Sequence, residues 1–126
     1  MEIGRKDPPL FAKTDAVLQG TIELLVLKRL SRGPMHGYGI ASWIETATDD
    51  VLRVEEGSLY PALYRMVQKR WISGTWGTSE NNRRAKFYQL TTAGRREFEQ
   101  QANGWLRLSQ AVSRAVTGAT LAGGAR

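Results

Sequence analysis

Eight basic side chains, Arg65, Lys69, Arg70, Arg83, Arg84, Lys86, Arg95 and Arg96, lie between Arg65 and Arg96 with a single acid, Glu80, among them. That window carries a net charge of +7, while the other ten bases and eleven acids sum to −1, so it accounts for the whole excess of +6. Cations at this density neutralise phosphates and release their counterions, so their clustering in one stretch is the footprint of a polyanionic partner such as nucleic acid. On charge alone the competing reading is a solvated basic face.

Other chemistry is sparse. The 126 residues include no cysteine and one histidine, His36. Disulfides, thiolate metal sites and cysteine nucleophiles are therefore excluded, and any site needing two imidazoles would have to form across an oligomer. Asp49-Asp50 and Glu55-Glu56 are adjacent pairs rather than facing carboxylates; they read as the end of one helix and the favoured acidic start of the next. Gly37-Tyr-Gly39 lacks a strand before it and reads as a turn. No catalytic residue, metal ligand set or cofactor site can be assembled, so the expectation is a binding protein and not an enzyme. The polar start, Met1 to Pro9, has no apolar leader segment, and the apolar run Ile22–Leu27 is stopped by Lys28-Arg29. A soluble, cytoplasmic protein without a membrane span is expected.

The elements that position the cations can be read from periodicity. Residues 1–15 read as a flexible arm. Helical spacing of Leu18, Ile22, Leu25, Val26 and Leu30 predicts a first helix over Val17–Leu30, ended by Ser31-Arg-Gly-Pro34. A second helix is expected over Tyr38–Thr48, with Ile40, Ala41 and Ile44 inward and His36 engaged in turn chemistry before it. Val51–Val54 reads as extended. A third helix is expected over Ser58–Arg70, with Ser58 as N-cap, Pro61 in the first turn, and Leu59, Ala62, Leu63, Met66 and Val67 buried. From Ile72 the period changes to two, predicting strands over Ile72–Trp76 and Ala85–Leu90 around a polar tip, Gly77–Arg84. Thr91 or Thr92 then caps a last helix to about Val116, on which Phe98, Ala102, Trp105, Ser109, Val112 and Val116 recur at steps of four and three, a coiled-coil-like seam. Residues 117–126 read as a frayed tail.

The fold class that follows is mainly α with a small β-hairpin: a winged helix-turn-helix over residues 16–90 and a long C-terminal dimerisation helix over 91–116. In that arrangement the third helix suits the DNA major groove and the hairpin tip reaches the neighbouring backbone or minor groove. Arg65/Lys69/Arg70 and Arg83/Arg84/Lys86 fall on those two elements, which favours nucleic acid over a merely solvated face. Arg83, Arg84 and Lys86 would set affinity through phosphates. Tyr60, Tyr64, Gln68 and Arg65 are the candidates for reading base edges.

The runs Gly33-Pro-Met-His-Gly-Tyr-Gly39, Glu56-Gly-Ser-Leu-Tyr-Pro-Ala-Leu-Tyr-Arg65, Gly77-Thr-Ser-Glu-Asn-Asn-Arg-Arg-Ala-Lys-Phe-Tyr88 and Leu90-Thr-Thr-Ala-Gly-Arg95 resemble the signature of PadR-like transcriptional regulators. Several separated motifs in order, over about Leu18 to Val116, make the resemblance specific. It implies a homodimeric winged-helix repressor that binds an inverted-repeat operator and often answers to a small-molecule effector. By motif position it implies DNA contact for Tyr38, Ser58, Tyr60, Pro61, Tyr64, Asn82, Arg83, Arg84 and Lys86, and a dimer interface on the last helix. Trp105 is expected to anchor that interface; its alternative role is to line a pocket between subunits that stacks a flat aromatic effector. A winged-helix module that binds small molecules or proteins without sequence-specific DNA readout is the second functional reading, and structured-RNA binding a third.

Overall fold

The computed structural model describes residues 16–118; the N-terminal arm and the tail from residue 119 lie outside the described residues. Four helices, α1 (Ala16–Leu30), α2 (Gly37–Ala47), α3 (Glu56–Gln68) and α4 (Thr92–Thr117), surround a three-stranded antiparallel sheet of β1 (Met35–His36), β2 (Ile72–Thr78) and β3 (Arg84–Leu90). The strand order is β1-β3-β2. Helices and hairpin are those expected from periodicity. The two-residue β1 is not, because a strand of that length has no period to detect; it pairs Met35 with Tyr88 and His36 with Phe87. Gly37-Tyr-Gly39, expected to be a turn with no strand before it, is instead the first turn of α2 directly after β1.

The core is the meeting of three helical stripes: Ile22, Val26, Leu27 and Leu30 of α1, Ile40 and Ile44 of α2, and Leu59, Ala62, Leu63 and Met66 of α3, closed by Ile72 and Tyr88 of the sheet. Each large apolar side chain buried there contributes roughly 1.5–3 kcal/mol. Gly33, at φ +129°, turns the chain from α1 into β1 in a backbone conformation open chiefly to glycine. His36 caps α2: its Nδ1 accepts the Gly39 N–H at 3.0 Å, and its ring meets Phe87 edge-on at 5.2 Å.

Three boundaries depart from the sequence expectation. Helix α3 begins at Glu56 with Glu55 as N-cap, so Ser58 is a first-turn residue rather than the cap. Pro61 accordingly sits in the second turn, where its ring removes the N–H that would bond the Gly57 carbonyl. The C-terminus of α3 is at Gln68 rather than Arg70, because Arg70 takes the left-handed conformation (φ +65°) without being glycine. Its N–H bonds Val67 O and that of Trp71 bonds Met66 O, closing the helix as glycine usually does. Of residues 51–54, expected to be extended, the first two form a bend after Asp49 and Asp50, both at positive φ.

The hairpin is longer than its alternation suggested: the ladder runs from Ile72 opposite Leu90 to Thr78 opposite Arg84, leaving residues 79–83 as the tip. Helix α4 starts at the N-cap Thr91, whose Oγ1 accepts the Gly94 N–H at 3.0 Å and donates to Arg70 O at 2.6 Å. Together with Thr91 N–H on Trp71 O, 3.0 Å, these bonds fasten the start of α4 to the chain between α3 and the hairpin.

Candidate nucleic-acid interface

The exposed side of α3 follows from burial of the other. With Leu59, Ala62, Leu63 and Met66 inward, Tyr60, Pro61, Tyr64 and Gln68 face solvent, Tyr64 at 67% exposure. This stripe offers two phenol hydroxyls, an amide and apolar ring faces, the groups that suit base edges and thymine methyls. Ser58 is half-buried at its N-terminal end.

Arg65, expected to join this stripe, is placed otherwise. Its Nε lies 3.2 Å from Glu23 Oε2 on α1, and Lys69 Nζ lies 3.8 Å from Glu23 Oε1. Glu23 is buried, and its carboxylate at that depth demands a partner that no solvent supplies. Arg65 is thus engaged through Nε in an ion pair with Glu23, its side chain remaining 35% exposed. Lys69 also lies over the Trp71 ring at 4.5 Å.

The hairpin extends past the core, and its outer half is wet on both faces. Trp76 shows the consequence: it shares a strand face with buried Ile72, yet is 56% exposed. The Arg84 guanidinium covers its ring at 4.8 Å, a stacking that holds this cation in a defined place on the wing. Arg83, Arg84, Lys86 and Asn82 are all exposed, and Asn82 shapes the tip through φ +60° and a bond from its N–H to Ser79 O. Lys86 reaches across Gly74, where a Cβ would come within 2.6 Å of Lys86 Cε, toward the Tyr88 ring.

Between the start of α2, Tyr60 of α3 and the wing lies an open cleft of about 750 Å³. Tyr38, Tyr60, Trp76, Arg83, Arg84 and Lys86 line it, with Glu80, Asn81 and Tyr88. The Tyr60 ring packs on the backbone of Gly37, where a Cβ would meet its hydroxyl at 2.6 Å; the missing side chain there is what seats Tyr60 in the cleft. Burial, and secondarily the neighbouring Tyr60, raise the Tyr88 phenol above its ordinary value. Glu80, the only acid of the basic window, comes within 3.8 Å of His36 Nε2, so the wing tip lies beside the cap of α2. The cleft thus gathers Tyr38, Tyr60 and three wing cations from elements far apart in sequence. Tyr64 and Gln68 lie further along α3 and Asn82 at the tip, and none of the three lines it.

Sequence reasoning did not single out Glu23 or Trp76, and it noted Glu80 only as the one acid of the basic window. Glu23 stands at a core position of the α1 stripe, one residue after Ile22 and three before Val26, and that acid in an apolar row was the available signal. On α4, Phe98 turns into the core of its own chain, with Lys28 Nζ over its ring at 5.8 Å, rather than outward along the seam. Ala102 and Ser109 are half-buried, whereas Trp105, Val112 and Val116 are exposed, as are Leu106 and Leu108 beside them.

Among the described residues no cluster of three or more metal-ligating side chains occurs, and no helix is long and apolar enough to cross a membrane. The sequence model of the transcriptional regulator PadR-like family matches residues 26–100. An uncharacterised 37.1 kDa protein carried in a transposon of Streptomyces fradiae is 38% identical over 90 residues, which cover 71% of this chain and 24% of that protein. The fold matches a transcriptional regulator of Clostridium thermocellum (TM-score 0.70, 25% identity, covering 79% of this chain and 97% of that one). It also matches a PadR-like transcriptional regulator of Bacillus cereus (TM-score 0.69, 27% identity, 81% and 97% covered).

Proposed function

This chain belongs to the PadR-like family of transcriptional regulators, and from that premise we propose that it is a homodimeric, sequence-specific DNA-binding repressor. The observation that carries the reading is the division of labour between two surfaces. Helix α3 exposes an uncharged stripe of hydroxyl, amide and apolar groups, while the wing beside it exposes Arg83, Arg84 and Lys86. In this reading α3 enters the major groove and Tyr60, Pro61, Tyr64 and Gln68 meet the bases. Tyr38 and the wing cations hold the adjacent phosphates, the cleft between them receiving the backbone.

Dimerisation is assigned to α4. Its outer half carries Trp105, Leu108, Val112 and Val116 exposed on a single chain, a run of apolar surface that a second copy would cover. A twofold axis there would present two α3 helices to half-sites about one helical turn, ~34 Å, apart, hence an inverted-repeat operator. Trp105 anchors the seam; in the alternative reading it instead lines a pocket between subunits against which a flat aromatic effector stacks.

The test is the salt dependence of duplex binding. Each phosphate contact contributes about 0.9 to the slope of log affinity on log salt, so two contacts correspond to about a twelvefold change between ~50 and ~200 mM salt. Arg83→Ala with Arg84→Ala should weaken binding and flatten the slope by about 1.8. An unchanged slope refutes the wing assignment.

A further inference from the structure

The last turn and the C-cap of α3 carry two cations that an unopposed recognition helix would offer to phosphates, Arg65 and, one turn on, Lys69. Both are turned to one acid. The Glu23 carboxylate, on α1 behind α3, lies 3.2 Å from Arg65 Nε and 3.8 Å from Lys69 Nζ. Its side chain is only 10% exposed, whereas those of Arg65 and Lys69 are 35% and 48% exposed. The anion is thus fixed in the core edge while the cations lie at the rim of the exposed stripe. Positions 61, 65 and 69 form one row along the helix, and Pro61 of that row is exposed.

We infer that Glu23 sets the salt-dependent, sequence-independent affinity of the DNA interface: by engaging Arg65 and Lys69 it strips α3 of phosphate-binding charge and leaves that part of the affinity to the wing. The inference rests on the DNA-binding reading proposed above. The physical ground is that phosphate contacts strengthen binding to every sequence alike, so cations withheld from the backbone lower the affinity for cognate and scrambled DNA by the same factor and weaken its dependence on salt. A buried carboxylate holds its cations without the strong salt screening that an exposed pair suffers.

The experiment compares cognate and scrambled duplexes over a salt series. Glu23→Gln keeps the shape of the side chain and removes its charge. Its slope should steepen by up to about 1.8 on cognate and scrambled duplex alike, a gain of about twelvefold in the ratio of affinities at ~50 and ~200 mM salt. The triple variant Glu23→Met, Arg65→Met, Lys69→Met replaces the cluster with apolar side chains, a change that proteins tolerate better than loss of one partner. It should retain the wild-type slope, because the two cations make no phosphate contact in the wild type. A Glu23→Gln slope equal to wild type, with the helical circular dichroism intact, would show a purely structural ion pair and overturn the inference. So would a triple variant whose slope is flatter by about 1.8, which keeps the inference refutable if Glu23→Gln does not fold. Absence of duplex binding by the wild-type protein would be a different failure, that of the DNA reading itself, and the inference would fall with it.

Discussion

Two glycines of α4 offer the same substitution with opposite expected signs. At Gly94, in the first turn, an added Cβ would fall on the carbonyl oxygen of Trp71 and crowd Leu90. That carbonyl is backbone, held by the Thr91 N–H at 3.0 Å and reached by the Thr91 hydroxyl at 3.1 Å, so it cannot swing aside as a side chain would. Overpacking of this kind costs about 1–3 kcal/mol, and loosening one of the Thr91 bonds adds about 1 kcal/mol. Gly94→Ala should therefore destabilise by about 2–4 kcal/mol, a large part of a domain's stability. At roughly 4–8 °C per kcal/mol, Tm would fall by 10 °C or more. Gly104, ten residues on, has nothing within 4 Å of its added Cβ. Gly104→Ala relieves a glycine in a helix interior and should stabilise by about 0.5–1 kcal/mol. Thermal and denaturant unfolding of the two variants side by side gives the answer. Equal effects, or a stable Gly94→Ala, would refute the packing of α4 against the start of the wing.

Trp105→Asp should convert the proposed dimer to a monomer in sedimentation, with a loss of at least about 2 kcal/mol of association, or roughly thirtyfold in dissociation constant. Because the side chain is half exposed in the single chain, helical content should not change; a persisting dimer would place the interface elsewhere. The Tyr88 phenol is raised by burial, so the folded state keeps a proton that the unfolded state releases. Its contribution to stability is present below the ordinary phenol value near 10 and is lost as pH climbs through the raised one. Wild-type protein should thus lose stability faster than Tyr88→Phe above about pH 10, and parallel curves there would show the hydroxyl to be solvated.

The apolar period carried most of the fold: the buried rows of α1, α2 and α3 and the switch to period two at Ile72 all lie where repetition is strong. It failed where a single residue does what a different type usually does. Arg70 closes α3 in a glycine conformation, Glu55 precedes it without a side-chain cap bond, and His36 takes the cap role that serine or aspartate commonly fills. At the candidate interface, the wing cations and the exposed tyrosines were legible because charge and amphipathic pattern are local properties. Arg65 was not, since its partner Glu23 stands 42 residues earlier and only tertiary packing joins them. Trp76 was obscured for the complementary reason: alternation assigns it to the face of Ile72, but the core ends before the strand does. Phe98 has seam spacing and core burial together, and spacing alone cannot separate a residue facing its own α1 from one facing a second copy.

Selection of bound fragments from a pool of genomic DNA, carried out at moderate salt with the wild-type protein and with Tyr64→Ala, bears most directly on the DNA-binding reading. The expected result is enrichment of an inverted repeat whose half-sites are spaced by about one helical turn, with enrichment weakened or altered in sequence for Tyr64→Ala. Recovery of fragments with no shared sequence, or the same motif undiminished from both proteins, would contradict base reading by the exposed face of α3.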